Sequence, residues 1–389
     1  MVIPVADRLK QVEDYYFVKK LEEIAKLNSE GKNIINFGIG NPDMMPSKAT
    51  IDALNTSASN PKHHGYQPYR GMPELRKAVA DFYKKTYNVA LDPATEVLPL
   101  LGSKEGILHI SMAFLNAGDK VLVPNPGYPT YSSNANLVGA EIMYYDLKDE
   151  NNWQPDLDAI KAQDLSNVKI MWLNYPHMPT GTPADPKILK QIIDFAHEYK
   201  ILICFDNPYS LVLNKTAPVS LLSIEGAKDV CIELNSLSKS FNMAGWRVGM
   251  MIGRADYLGA ALRVKSNIDS GMFLPVQQAA IEALNNSEAW HAERNAVYEA
   301  RRAWVYQIFD LLGFTYSTDQ VGMFVWAKAP LHIENVPAFS DQILYGANVF
   351  ITPGVIFGSN GERFLRISLC VPADKMEEAY IRIKHWIGK

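Results

Sequence analysis

Short apolar runs alternate with amphipathic stretches through the middle of the chain. The amphipathic stretches have helical patterns, of which residues 186–199 are an example. The apolar runs, hydrophobic on both faces, are Val97–Leu101, Lys120–Val123, Lys169–Leu173, Ile201–Phe205, Val230–Leu234 and Val248–Ile252. This pattern predicts buried parallel strands of an α/β sheet, separated by helices.

Polar and glycine-rich residues cluster at the ends of these runs. In open α/β sheets, ligands bind outside the carboxyl ends of the strands. We therefore expect one edge of the sheet to collect Gly102, Ser103, Lys104, Tyr128, Asn174, Asp206, Tyr209, Ser236, Lys239 and Arg247.

The pattern changes after about residue 285. A long helix with charged faces is expected from Glu288 to about Leu312, and a final helix over Lys375–Ile387. Strands are expected at Gly322–Ala327 and Phe364–Cys370. We predict a large domain over residues 48–285 and a smaller α+β domain formed by residues 286–389 with the N-terminal residues 1–47.

Composition and charge exclude several classes of partner and location. The 389 residues carry 38 basic and 42 acidic side chains, a formal net charge of −4. Without a dominant basic field, neither nucleic acid nor an anionic membrane is expected as the main partner. No window is apolar enough for a membrane span and the N-terminus does not look like a secretory signal, so the expected location is the cytoplasm.

Neither the cysteine spacing nor any known metal-binding motif indicates a metal site. Cys204, Cys231 and Cys370 are scattered along apolar stretches, outside CxxC spacing, and are expected to be buried hydrophobic residues. The chain has no H-E-x-x-H sequence, EF-hand loop or Walker motif, so no metal is expected.

Several residues at the predicted edge suit one cofactor. Lys239 is an amine directly after a buried strand, and Asp206 is a carboxylate at the end of another. Gly102 and the two residues after it open a helix, whose N–H groups and dipole favour phosphate. An amine that can form a Schiff base, a buried carboxylate that keeps a pyridine nitrogen protonated and a phosphate cradle match the needs of pyridoxal 5'-phosphate.

The residues around the lysine also carry a resemblance. The segment Ser236-Leu-Ser-Lys-Ser-Phe-Asn-Met-Ala-Gly-Trp-Arg-Val-Gly249 is similar to the cofactor-lysine signature of the class I (class I/II) aminotransferases, which are fold-type I pyridoxal-phosphate enzymes. The resemblance covers nearly the whole chain. It implies a large α/β domain with a mostly parallel central sheet flanked by helices, plus the smaller α+β domain.

The resemblance also implies roles for individual residues. Lys239 would be the catalytic residue, first as Schiff-base partner and then as the acid–base that moves the Cα proton. Gly40 would belong to a loop over the substrate, and Arg366 would clamp the substrate α-carboxylate. The cofactor-binding residues would be Tyr66, Gly102, Ser103, Lys104, Tyr128, Asn174, Asp206, Tyr209, Ser236, Ser238 and Arg247.

Within that set, the roles differ. Asp206 would pair with the ring nitrogen, Tyr209 would contact the ring hydroxyl, and Tyr128 would stack on the ring. Ser236, Arg247 and the Gly102–Lys104 loop would hold the phosphate. Tyr66 would reach the phosphate of the neighbouring subunit, which implies a homodimer with shared active sites.

One position departs from the family pattern. In the segment Asn174-Tyr-Pro-His-Met-Pro-Thr-Gly181, Met178 stands where a second asparagine is usual. A thioether cannot donate a hydrogen bond. We expect a shifted pKa of the lysine–cofactor imine and a weaker or re-aimed carboxylate clamp.

The predicted activity is an aminotransferase that moves an amino group from an L-amino acid to a 2-oxo acid in a ping-pong cycle. A carbon–sulfur lyase or another α,β-eliminating enzyme would share every cofactor residue and remains the alternative. A non-catalytic pyridoxal-phosphate-binding regulator is disfavoured, because neither end of the chain carries a basic segment. A nicotinamide dehydrogenase is also disfavoured, because Gly38-Ile-Gly40 does not continue as a dinucleotide fingerprint.

The substrate is less constrained. The stretch Lys265–Phe273 has no arginine for a distal carboxylate and resembles relatives that act on diaminopimelate or alanine. Arg70 and Lys265 remain possible cations for such a group. The aromatic residues Tyr15, Tyr16 and Phe17 could line the pocket or form the apolar face of a helix.

Overall fold

The computed structural model describes residues 3–11 and 16–388 of the chain. Its α-helices are α1 (Tyr16–Ser29), α2 (Lys48–Ala58), α3 (Pro73–Tyr87), α4 (Ser103–Phe114), α5 (Thr130–Val138), α6 (Leu157–Lys161), α7 (Pro186–Tyr199), α8 (Ala227–Val230), α9 (Leu237–Ser240), α10 (Ala255–Lys265), α11 (Leu274–Leu284), α12 (Glu288–Leu312), α13 (Val336–Ala347) and α14 (Ala373–Trp386). Its strands are β1 (Ile35–Asn36), β2 (Val97–Leu100), β3 (Lys120–Asn125), β4 (Glu141–Asp146), β5 (Val168–Asn174), β6 (Leu202–Asp206), β7 (Cys231–Ser236), β8 (Gly249–Gly253), β9 (Thr315–Tyr316), β10 (Phe324–Lys328), β11 (Val349–Phe350), β12 (Thr352–Pro353) and β13 (Phe364–Ser368).

The central sheet has the strand order β2-β8-β7-β6-β5-β3-β4. The pairs β3–β4, β3–β5, β5–β6 and β6–β7 are parallel. The predicted α/β class with a mostly parallel sheet is therefore confirmed. The edge strand β4 was not predicted; it is only partly buried, with Tyr145 as its one buried residue and charged residues at both ends.

Strand β8 corrects the expectation that every apolar run is parallel. It runs antiparallel to both β7 and β2. Ser236 at the end of β7 lies opposite Gly249 at the start of β8, and the Leu237 N–H donates to the Val248 carbonyl at 3.1 Å. The chain thus turns back on itself between these strands. As a result β8 begins at the edge where β7 ends, and Arg247 reaches that edge from the opposite direction.

Both faces of the central sheet are buried, as the continuous apolar runs predict. In β5, Trp172 packs into the hydrophobic cluster on one face, whereas Met171 and Leu173 pack into the cluster on the other. Side chains alternate between the two faces of a strand, so a strand covered on both sides needs apolar residues at consecutive positions.

A second sheet follows the central one in sequence, with the order β12-β13-β10-β9 and antiparallel pairing. The long helix α12 precedes it with the predicted bounds. Strand β1 pairs in parallel with β11, so that Ile35 lies beside Val349. The N-terminal segment therefore contacts the C-terminal part of the chain, whereas the domain boundaries near residues 47 and 285 stay a prediction.

The remaining expectations concern cysteines and membranes. Cys204, Cys231 and Cys370 are buried and free, as expected. Within the described ranges, no helix has both the length and the hydrophobicity needed to cross a bilayer.

Candidate active site

Most of the predicted site residues surround one cavity of about 430 Å³ at the carboxyl edge of the central sheet. The predicted residues that line this cavity are Gly40, Ser103, Lys104, Tyr128, Asn174, Asp206, Tyr209, Ser236, Ser238, Lys239, Arg247 and Arg366. Gly102 lies directly behind it, against Arg247. A larger depression of about 870 Å³ beside β4 and α6 holds none of these residues and lies away from the candidate chemistry.

Asp206 is a buried carboxylate with one satisfied oxygen. Its Oδ2 accepts a hydrogen bond from the Tyr131 hydroxyl at 2.9 Å, whereas among the described residues Oδ1 has no hydrogen-bond partner. Burial raises the pKa of Asp206 to about 7. The sequence analysis missed Tyr131, whose ring stacks on Trp172 with the ring centroids 4.8 Å apart. Oδ1 is therefore suited to accept a hydrogen bond from a protonated nitrogen.

Lys239 lies in the short helix α9 that directly follows β7. Its Nζ donates a hydrogen bond to the backbone carbonyl of Gly40. Burial lowers the pKa of Lys239. The amine thereby loses its proton at lower pH than an exposed lysine, and this favours its action as a nucleophile and as a base.

The start of α4 forms a cradle for an anion. Gly102 caps this helix with φ +85° and, as a glycine, has no side chain that could bond to the N–H groups of the first turn. A Cβ at Gly102 would lie 2.1 Å from Nη2 of Arg247. Helix N–H groups and a guanidinium therefore converge at a place where only glycine leaves room.

Ser236 lies opposite this cradle, at the N-cap of α9. Its Oγ accepts a hydrogen bond from the backbone N–H of Ser238 at 3.1 Å and donates to the Ser238 hydroxyl at 2.9 Å. Both serines are buried beside Lys239. The turn that carries the lysine is therefore fixed by its own side chains.

Arg366 lies in β13 with its guanidinium between two aromatic rings. The centre of the guanidinium is 4.0 Å from the Phe324 ring and 4.5 Å from the Phe357 ring. Nη2 donates to the Gly38 carbonyl at 2.7 Å, and Nη1 approaches the sulfur of Met178 at 3.3 Å. The methionine at the unusual position is thus next to the predicted carboxylate clamp, and its expected effect on that clamp stays a prediction.

Asn174 contributes to the cavity wall mainly as a scaffold. Its Nδ2 donates to the backbone carbonyl of Asp206 at 2.7 Å, and its Oδ1 accepts from the Met178 N–H at 2.8 Å. The neighbouring His177 is buried and does not line the cavity. Burial lowers its pKa to about 3, so His177 stays neutral at physiological pH.

The loop that closes one side of the cavity is tied down by an ion pair that the sequence analysis missed. Asp43 receives two hydrogen bonds from Arg301 of α12, at 2.6 and 2.7 Å. Arg301 also donates to the Leu369 carbonyl at 3.0 Å. The partners are 258 positions apart, and no local pattern links them. This pair holds the carbonyls of Gly38 and Gly40 where they meet Arg366 and Lys239.

Tyr66 is the predicted residue that the structure leaves outside the cavity. Its side chain is 93% exposed, in a shallow depression that Met272 and Phe273 also line. Within one chain Tyr66 therefore contacts no other predicted site residue. Its assignment to a neighbouring subunit stays a prediction.

The two alternative cations also lie outside the cavity. Lys265 is buried in an ion pair with both oxygens of Asp269, at 2.7 and 2.8 Å. Arg70 donates to the backbone carbonyl of Ala94 at 2.8 Å. Of the aromatic N-terminal residues, Tyr15 and the side chain of Phe17 lie outside the described part of the chain. The described residues of α1 that line the cavity are Val18 and Leu21.

Known proteins resemble this chain over nearly its whole length. The family described as aminotransferase class I and II matches residues 32–383. An LL-diaminopimelate aminotransferase of Moorella thermoacetica is 41% identical over 99% of this chain and 98% of its own length, and one of Dehalococcoides mccartyi is 39% identical over 98% of both. The substrate-bound structure of BacF from Bacillus subtilis is 36% identical, covers 98% of each chain and superimposes with a TM-score of 0.94.

Proposed function

Because the chain belongs to the class I and II aminotransferase family and is a pyridoxal-phosphate-dependent aminotransferase, we propose that the 430 Å³ cavity is its active site. There an amino group would leave an L-amino acid and be passed to a 2-oxo acid. The observation that carries this proposal is the convergence of Lys239, Asp206 and the α4 cradle on one cavity.

The residues present fit the cofactor. The orphaned Oδ1 of Asp206 is buried and suits a protonated ring nitrogen. The start of α4, with Arg247 and Ser236 beside it, suits a phosphate. Tyr128 lines the same cavity with its ring. A carboxylate oxygen for the ring nitrogen, a helix start for the phosphate and the Lys239 amine thus line a single cavity.

Pyridoxal phosphate supplies an aldehyde that takes up amino groups and a conjugated ring that draws electrons from the substrate Cα. Lys239 would hold the cofactor and then carry the proton that leaves Cα, which its lowered pKa favours. Arg366 would bind the substrate α-carboxylate, and the rings of Phe324 and Phe357 would exclude water from that ion pair.

Tyr66 would act across a subunit interface. Its exposure in a depression with Phe273 and Met272 agrees with a residue whose partner belongs to a second copy. Mixing Tyr66→Phe and Lys239→Ala variants tests this, because a mixed dimer would contain one site with both native residues. Recovery of up to about a quarter of the native activity is expected from random pairing in a two-fold dimer. No recovery in exchanged dimers would place Tyr66 outside the neighbouring site.

The catalytic assignment has a direct chemical test. Borohydride should fix the cofactor to Lys239, and mass spectrometry of the digested protein should find the label there. A Lys239→Arg variant keeps the charge and should carry no label. A label on another lysine would refute the assignment.

The reaction class has a separate test. An aminotransferase needs a 2-oxo acid for turnover, whereas a carbon–sulfur lyase releases pyruvate and ammonia from a sulfur amino acid without an acceptor. We expect no turnover when the acceptor is omitted. The names of the relatives support this choice, and no structural observation favours the lyase.

We also propose that the enzyme works in the cytoplasm. Its three cysteines are buried and free, which agrees with a reducing compartment.

A further inference from the structure

The part of the cavity that would receive the substrate side chain is apolar. Among the described residues, the ionisable side chains that line the cavity, other than tyrosines, are those of Lys104, Asp206, Lys239, Arg247 and Arg366. The proposed function assigns Asp206, Lys239 and Arg247 to the cofactor and Arg366 to the substrate α-carboxylate, and Lys104 belongs to the Gly102–Lys104 loop that would hold the phosphate. The lining residues that remain around Arg366 and at the mouth include Val18, Leu21, Ile39, Met178, Phe324 and Phe357.

Helix α1 places two of these apolar side chains at the mouth of the cavity. Val18 and Leu21 are three positions apart and therefore lie on the same face of α1. Val18 is 51% exposed, and Ile39 on the facing loop is 41% exposed. Exposed apolar side chains around a cavity mouth gain stability when an apolar ligand covers them.

The nearest charges on α1 do not face the cavity. Lys20 bonds to Glu23 at 2.7 Å and to Asp341 at 3.0 Å. Neither Lys19 nor Glu22 is among the residues that line the cavity. The helix therefore presents its hydrocarbon side chains, and no described charge, to the cavity.

The segment that the proposed dimer would add supplies no carboxylate either. Residues 60–72, which contain Tyr66, include no aspartate or glutamate. Asp269, the residue before Ser270 of the Tyr66 depression, does not line it and is already paired with Lys265. A second ammonium group on a bound donor would lose its water without gaining an anionic partner among these residues, and this is costly.

From these observations we infer that the amino donor has an uncharged apolar side chain, aliphatic or aromatic. The inference rests on the proposed function and names the substrate class of the same cavity. It separates this chain from the relatives named LL-diaminopimelate aminotransferases, because diaminopimelate carries a second ammonium and a second carboxylate. Val18 and Leu21 are the residues that set this preference.

The first test compares donors on the holoenzyme. Single amino acids are mixed with the protein, and the absorbance change of the bound cofactor gives the rate of each half-reaction. We expect kcat/KM for L-phenylalanine, L-leucine or L-methionine to exceed that for LL-diaminopimelate and L-glutamate by about 100-fold or more. A preference for diaminopimelate or glutamate would overturn the inference and leave the proposed function intact. No response to any amino acid, with no label on Lys239, would instead refute the proposed function.

A second test measures binding without turnover. Calorimetry compares 3-phenylpropanoate with 5-aminopentanoate, two carboxylates without an α-amino group that differ in the distal end. We expect 3-phenylpropanoate to bind at least about tenfold more tightly, because removing its ring from water is favourable, whereas removing the ammonium group of 5-aminopentanoate from water costs free energy. Equal or tighter binding of 5-aminopentanoate would contradict the inference.

A matched pair of variants locates the preference. Val18→Glu places a carboxylate at the mouth and should raise the ratio of kcat/KM for diaminopimelate over phenylalanine by about tenfold or more. Ile381→Glu, at an exposed position of α14, adds the same charge away from the cavity and should leave the ratio unchanged. An unchanged ratio in Val18→Glu would show that this face of α1 does not contact the donor side chain.

Discussion

Replacement of Asp206 by asparagine should stabilise the protein without its cofactor while removing the site for the ring nitrogen. Burial raises the pKa of Asp206 from its ordinary 3.8 to about 7. In the unfolded chain this carboxyl loses its proton near pH 4, whereas in the folded chain it holds the proton until about pH 7. Folding at higher pH therefore leaves a buried carboxylate whose second oxygen is unpaired among the described residues.

The size of the effect follows from linkage. One pKa unit corresponds to about 1.4 kcal/mol, so a pKa raised from 3.8 to about 7 costs about 4 kcal/mol of stability above pH 7. The cost is absent below about pH 4, where both states are protonated, and grows as the pH rises to 7. Asparagine never ionises, so Asp206→Asn should gain up to about this amount at pH 8 and almost nothing at pH 4.

Chemical denaturation of the cofactor-free proteins at several pH values measures this difference. Asp158→Asn, which removes an exposed carboxylate on α6, is the control for the loss of one charge. Added cofactor should reverse the order, because its protonated ring stabilises only the native carboxylate. A stability difference that does not change between pH 4 and pH 8 would refute the reasoning.

Three further substitutions test other contacts. Gly102→Ala should weaken cofactor binding by about tenfold or more in a fluorescence titration, because the new Cβ would lie 2.1 Å from Arg247 at a residue with positive φ; unchanged affinity would contradict the cradle. Asp43→Asn should raise the KM of the amino donor several-fold with little change in cofactor affinity, because it loosens the loop that Arg301 holds; an unchanged KM would show that the loop needs no anchor. Lys265→Met should lower the free energy of unfolding by about 3 kcal/mol, because it leaves a buried carboxylate without its partner; denaturation curves that superimpose on the native ones would refute this.

The sequence predicted the elements whose signals are local. Runs apolar at consecutive positions revealed the buried strands, and the polar residues at their ends met at one edge, as the topology of parallel strands requires. The direction of β8 escaped prediction because an apolar run reads alike in both directions. Its reversal depends on the turn that joins Ser236 to Gly249.

The contacts that support the site were not predictable in the same way. Tyr131 carries no local signature, and its importance depends on Asp206, 75 positions away. The pair of Asp43 and Arg301 joins residues still further apart. Such partners come together only when the chain folds, so a pattern of neighbouring residues contains no record of them.

The pairing of β1 with β11 has a consequence for the order in which the enzyme is completed. The loop that carries Gly38 and Gly40 is placed by Phe350, Arg301 and Arg366, all of which follow the central sheet in the chain. The strands of the central sheet lie within residues 97–253, whereas this wall of the cavity needs the chain as far as Arg366. A chain cut before β13 would therefore form the central sheet but lack this wall, and such a truncated protein should bind no amino acid.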